Sequence, residues 1–171
     1  AVARWAKKVV ELAVAEGWTK NLASDAKAAV HYQIQDGATS DALASAQSAH
    51  GRVAAEHSSA GDLALLVARA ALAGGQPAVA ADAAKASRAA FEKAEKAKGA
   101  ARASWRAGQA AHALGRIEDV EAAAGQVESP RKETLQALAA LLKGEMKVAA
   151  GLFPQTGLRS ADAAYAYMLA A

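Results

Sequence analysis

The stretch from 103 to 120, "ASWRAGQAAHALGRIEDV", places Trp105, Gln109 and His112 at intervals of four and three in a chain dominated by alanine. With Arg102 three positions earlier, these side chains offer a guanidinium for carboxylate or phosphate, an indole for apolar groups, an amide, and an imidazole. Intervals of three and four put them on one face of a helix. Such a face fits a catalytic cluster, a partner-binding stripe or the ordinary surface of a helical scaffold. The rest of the chain argues against catalysis. It holds no G-x-S-x-G elbow, no G-x-x-x-x-G-K-[ST] loop and no strand-glycine-helix dinucleotide pattern. Glu118 and Asp119 are adjacent where a helix starts, and the positive end of its dipole accounts for them. The lack of cysteine removes disulfides, thiolate nucleophiles and cysteine metal sites together. His50 and His57 are spaced to share a helix face, but zinc recruits ligands one turn apart plus a third from elsewhere, and no such set exists. The expectation is a non-enzyme with no catalytic residue, metal or cofactor.

Composition points to the elements that must position this stripe. The 171 residues suffice for one domain with a continuous apolar core. Abundant alanine and few aromatic residues favour close approach of helices through small side chains. Proline occurs only at 77, 130 and 154, and strand-length runs of β-branched residues are missing, so the expected class is all-α. The net charge of +3 comes from nearly balanced acids and bases and gives no strong nucleic-acid signal. Apolar runs such as "LALLVARAALAGG" are broken by Arg69 well before the roughly 18 residues that a membrane span requires. A cysteine-free chain suits cytosol and periplasm equally, which leaves the compartment open. The start at Ala1, without methionine, fits either processing or a trimmed segment of a longer solenoid.

Glycines punctuate the helical pattern. Gly17, Gly37, Gly75, Gly115 and Gly144 each follow an apolar-periodic stretch and suit the left-handed conformation that closes a helix. The pattern predicts helices over 2–16, 19–36, 40–57, 62–73, 77–98, 100–114, 117–127, 130–143, 145–153 and 159–170, with Ser40 as an N-cap and Pro77 early in its helix. Short links make neighbouring helices antiparallel hairpins, which stack as an α-solenoid or close into a bundle. Aligned on Gly37, Gly75, Gly115 and Gly144, the chain shows Thr39, Pro77, Ile117 and Met146 two positions on, and Ala42, Ala80, Val120 and Ala149 five on. Seven positions before each glycine stand Val30, Ala68, Gly108 and Ala137, where two helices of a hairpin would touch.

On these residues the chain resembles the tetratricopeptide-repeat family. The closest unit runs from about 101 to Pro130, with Gly108, Ala111, Gly115, Ile117, Ala124 and Pro130 at or near the family's positions. Val120 and Ala124 stand where the family has alanine and an aromatic, Trp105 lies one place beyond the usual tryptophan, and the glycines are 38, 40 and 29 residues apart, against a family period of about 34. The resemblance implies one right-handed solenoid domain over 1–171, with repeats over 19–57, 62–98, 100–129 and 130–158 and flanking helices 2–16 and 159–170.

The resemblance also implies a function: an interaction scaffold that holds a peptide or protein segment in a concave groove and assists assembly or localisation of a complex. The implied groove residues are Lys27, His31, Leu65, Arg69, Leu72, Arg102, Trp105, Gln109, His112, Arg131 and Leu138, joined by Ile34, Thr134 and Leu141. An acidic or C-terminal carboxylate-bearing segment would be gripped by Arg102 and Arg131, with Trp105 covering an apolar side chain. The family's dicarboxylate clamp also uses asparagines, where this chain has His31 and Arg69, so that specificity is not carried over.

Other readings compete. In helix 100–114, Ala100, Ala103, Ala107, Gly108, Ala111 and Leu114 form the packing side, and Trp105 could pack between repeats instead of gripping a partner. Lys85, Arg88, Lys93, Lys96, Lys98, Arg102 and Arg106 could meet an acidic protein, RNA or anionic lipid, but interleaved acids fit a solvated helix, and Phe91 reads as a packing residue. Trp5, Trp18, Tyr165, Tyr167 and Met168 mark the ends, where caps or self-association through terminal helices would make the chain a structural segment of a larger assembly. A compact bundle around a small apolar ligand is a third class.

Overall fold

The computed structural model describes residues 2–15, 21–54 and 57–152. Among them are nine α-helices and no strand: α1 (Val2–Ala15), α2 (Leu22–Gln35), α3 (Thr39–His50), α4 (Ala60–Ala73), α5 (Pro77–Lys93), α6 (Ala97–Ala113), α7 (Ile117–Ala124), α8 (Arg131–Leu142) and α9 (Met146–Leu152). The sequence-predicted helix 159–170, Trp18 and the Gly17 turn lie outside the described residues, as do Tyr165, Tyr167 and Met168. No described helix is long and apolar enough to cross a membrane.

One turn recurs. Gly37, Gly75, Gly115 and Gly144 all have positive φ, between 67° and 76°. In each, the glycine N–H donates to a carbonyl three residues back and the next residue's N–H to one five back, as in Gly75 to Leu72 and Gln76 to Ala71. This is the Schellman closure, and it satisfies carbonyls that a helix end otherwise leaves open. The residue after the glycine is at once the N-cap of the following helix: Ala38, Gln76 and Arg116 serve α3, α5 and α7. The expected N-cap Ser40 therefore falls inside the first turn of α3, because the link is too short to leave it outside. Pro77 and the pair Glu118 and Asp119 stand in the first turns of α5 and α7 as expected.

A fifth copy of the turn joins α5 to α6 without glycine. Glu95 takes the left-handed position with φ 54°, and Lys96 N–H donates to Phe91 carbonyl. Helix α5 thus ends at Lys93 rather than near 98. Gly99, read as a break, lies inside α6, where a Cβ would meet the Phe91 ring at 2.4 Å. A second expectation also fails nearby. Helix α3 stops at His50, with Gly51 as C-cap, and His57 accepts the Ser59 N–H through Nδ1 at 3.1 Å beyond that helix, so His50 and His57 do not share a helix face.

The chain divides into two compact units, Ala1–Ala103 and Ser104–Ala171, with the boundary inside α6. In the first, α1 through α5 pack each against the next, and α1 also meets α3 and α2 meets α4. Its core is built from small residues around Val10, Leu22, Val30, Leu63 and Phe91; of the inner polar groups, Ser87 Oγ donates to Gly61 carbonyl and Gln33 Nε2 to Ser45 Oγ, while Gln33 Oε1 is buried without a partner among the described residues. In the second, α8 packs against α7 and α9 around Val120, Leu135 and Leu138. Gly108 of α6 lets that helix approach closely, since a Cβ there would meet Leu135 at 2.6 Å and Ala123 at 3.0 Å. The positions in phase with the turns carry this packing: Val30, Ala68 and Ala137 before the glycine and Ala42, Ala80, Val120 and Ala149 after it are all 0% exposed.

Candidate functional site

In the first unit, the residues expected to line a binding face come from helices that are neighbours in space and a repeat apart in sequence. Asp62, Leu65, Arg69 and Leu72 follow each other along α4 at helical spacing and are half-buried or exposed. Arg69 Nη2 donates to His31 Nδ1 of α2 at 3.1 Å. A guanidinium has no acceptor, so in this contact Arg69 donates and Nδ1 accepts. On the other flank, Arg102 of α6 reaches Asp62 of α4 at 3.3 Å, and its guanidinium carbon lies 5.7 Å from the centre of the Phe91 ring. Lys27 is exposed on α2 one turn before His31, and Tyr32, 43% exposed, stands beside the His31 ring. The result is a face of α2, α4 and the start of α6 with three cations, one carboxylate, and the apolar sides of Ile34, Leu65 and Leu72 between them.

This geometry shows what the spacing missed. Asp62 belongs to the face and engages Arg102. Its signal was its place in the series 62, 65, 69, 72 and a basic residue 40 positions later. The pair is half-exposed on both sides, so it contributes about 0–1 kcal/mol and yields readily to a competing carboxylate.

In the second unit, Trp105 is half-buried and packed against the core that Val120, Leu135 and Leu138 build. Arg106 Nη1 donates to Gln109 Oε1 at 2.7 Å, and His112 is half-buried. Arg131 opens α8 and is exposed, whereas Thr134 is buried and its hydroxyl donates to Pro130 carbonyl. Leu138 is only 7% exposed, a core residue rather than a surface for a partner, because the side of α8 that carries Leu135 and Leu138 packs into one cluster with Val120, Ala123 and Ala124 of α7. Of the packing side expected for α6, Ala103, Gly108 and Ala111 are buried and Ala100, Ala107 and Leu114 half-buried, and Ser104 and Ala110 are buried as well; Ser104 Oγ donates to Gln126 at 3.0 Å. Among the described residues, no group of three His, Asp or Glu side chains is placed to hold a metal ion.

No protein-family model matches the chain, and no curated protein or solved structure does either.

Proposed function

We propose that the chain is a non-enzymatic interaction scaffold of the tetratricopeptide-like solenoid kind, which binds a segment of another polypeptide along the face made by α2, α4 and α6 and so assists assembly or localisation of a complex. The observation that carries this reading is the convergence of His31, Arg69, Asp62 and Arg102 from three helices onto one face, with two contacts of 3.1 and 3.3 Å across 38 and 40 residues of sequence. Half-buried Leu65 and Leu72 supply apolar burial at about 25 cal/mol per Å2 removed from water, and the cations set the orientation of an acidic segment. Polar groups already held by light, solvent-screened contacts are preorganised for exchange with a ligand.

The test is capture of partners from the native source with the wild-type chain and with Arg69→Glu combined with Leu72→Asp, followed by competition with peptides from whatever is recovered. Loss of the captured species with the double variant, at unchanged circular dichroism, supports the reading; equal capture by both forms rejects it.

A second reading, a structural segment that joins a larger assembly through its terminal helices, draws on Leu12 of α1 and on Met146 and Val148 of α9. These are exposed by 50%, 41% and 52%, and among the described residues of α3 to α8 no large apolar side chain is so exposed.

A further inference from the structure

The second unit carries a cleft of about 480 Å³ bounded by α7, α8 and α9. Its floor is apolar, with Ala124, Ala139, Ala140 and Leu152, and its rim holds two cations, Lys132 and Lys143, and two carboxylates, Glu121 and Glu145. Lys143 Nζ donates to Glu121 at 2.6 Å, a contact exposed enough to be exchanged. Val148, half in water, adds apolar surface at the edge. A recess of this size with an oily floor and mixed charge at its rim suits an amphipathic polypeptide segment bearing one charge of each sign.

We infer that the occupant is this chain's own segment 159–170, which lies outside the described residues. Leu152, the last described residue, itself lines the cleft. The six residues from 153 to 158 reach at most about 20 Å when extended, so the segment starts within range of the recess and at high effective concentration. Its sequence, "RSADAAYAYMLA", is mostly alanine, tyrosine and other apolar residues apart from Arg159, Ser160 and Asp162, and Arg159 and Asp162 are the only charged side chains after Leu152. Those two match the paired carboxylates and ammonium groups of the rim, while the alanines, tyrosines and Met168 match its floor. The cleft is then the seat of an intramolecular cap, an assignment independent of the binding face on α2, α4 and α6.

The test exploits a chain without cysteine. In the full chain, Gln136→Cys at the cleft is paired in turn with Ala161→Cys, Ala164→Cys or Met168→Cys, and treated with a short thiol cross-linker. The expected result is an intramolecular link in the monomer, formed at least tenfold faster than when Gln136→Cys is replaced by Asp119→Cys, exposed on α7 outside the cleft lining, and slowed several-fold by adding Val148→Asp. Equal rates from the two anchor positions overturn the inference. So do products linked between two chains, which would make a second copy the occupant, and a link indifferent to Val148→Asp. Because Gln136 and Val148 are exposed, these variants leave the described packing intact.

Discussion

Gly99 lies so close to Phe91 that a methyl group on its Cα would come within 2.4 Å of the ring, and one on Gly61 of α4 would come within 3.0 Å of the same ring. Among the described residues of the first unit, the largest fully buried side chain is therefore held against two helices by their lack of side chains. Alanine at 99 gains about 1 kcal/mol in helix propensity. It loses more to overpacking, which typically costs about 1–3 kcal/mol, because a ring confined by Gly61 has nowhere to move. Gly99→Ala should lower the urea midpoint, and Phe91→Leu in the same chain should recover part of the loss, a coupling that a double-mutant cycle reads directly.

Glu95 occupies the left-handed position that glycine holds in the four equivalent turns. A side chain there costs about 1–2 kcal/mol, and replacing it with glycine returns part of that against the greater entropy of an unfolded glycine. Glu95→Gly should raise thermal stability by about 0.5–1 kcal/mol, whereas Gly75→Ala should lower it. Paired melting curves check both signs.

Gly108 meets the methyl ends of Leu135, which is a softer obstacle than a ring. Gly108→Ala should cost less than Gly99→Ala, and Gly108→Ala with Leu135→Ala should destabilise less than the sum of the single changes, since one methyl fills part of the cavity left by the leucine. Chemical denaturation of the three variants measures this.

Hydrogen bonding and charge shift a few surface groups. The hydrogen bond from Lys143 to Glu121, helped by the carboxylate's charge, holds the ammonium pKa above its ordinary 10.5. Its stabilising contribution is complete below that unfolded value and disappears as pH rises through the higher folded one. The Ser129 hydroxyl, donating to Glu133, holds that carboxyl below its ordinary 4.5, so this contribution is present above 4.5 and disappears as pH falls through the lower folded value. Lys143→Met should flatten the alkaline limb of the stability profile and Glu133→Gln the acid limb, each leaving the other unchanged in denaturation followed across pH.

Arg102 is half-exposed where it pairs with Asp62, and its guanidinium lies over the Phe91 ring, 5.7 Å from its centre. Arg102→Ala should therefore change stability by less than about 1 kcal/mol. If the face made by α2, α4 and α6 binds an acidic segment, the same variant should weaken a verified partner at least severalfold and lessen the salt dependence of binding, as isothermal titration at two ionic strengths would show.

Much of the fold was legible because helix ends leave a chemical mark. Four glycines, each followed two positions later by a helix start, define four turns, and the residues five positions beyond them are buried as their type and phase required. The failures have equally local causes. Glu95 adopts a conformation its side chain disfavours, so nothing in its identity announces the turn, and Gly99 was read as the break instead of a contact. Gly51 ends α3 at right-handed φ, without the left-handed signature. For the candidate face, spacing placed His31, Arg69 and Arg102 on helix surfaces, yet spacing says nothing of depth. Leu138 went to the core, and Asp62 stood unnoticed because its partner lies a whole repeat away.

The five turns share their hydrogen bonds but not their side chains, since the path is reversed by main-chain N–H and carbonyl groups alone. Substitution can therefore rewrite almost every letter of a hairpin while the route of the chain survives.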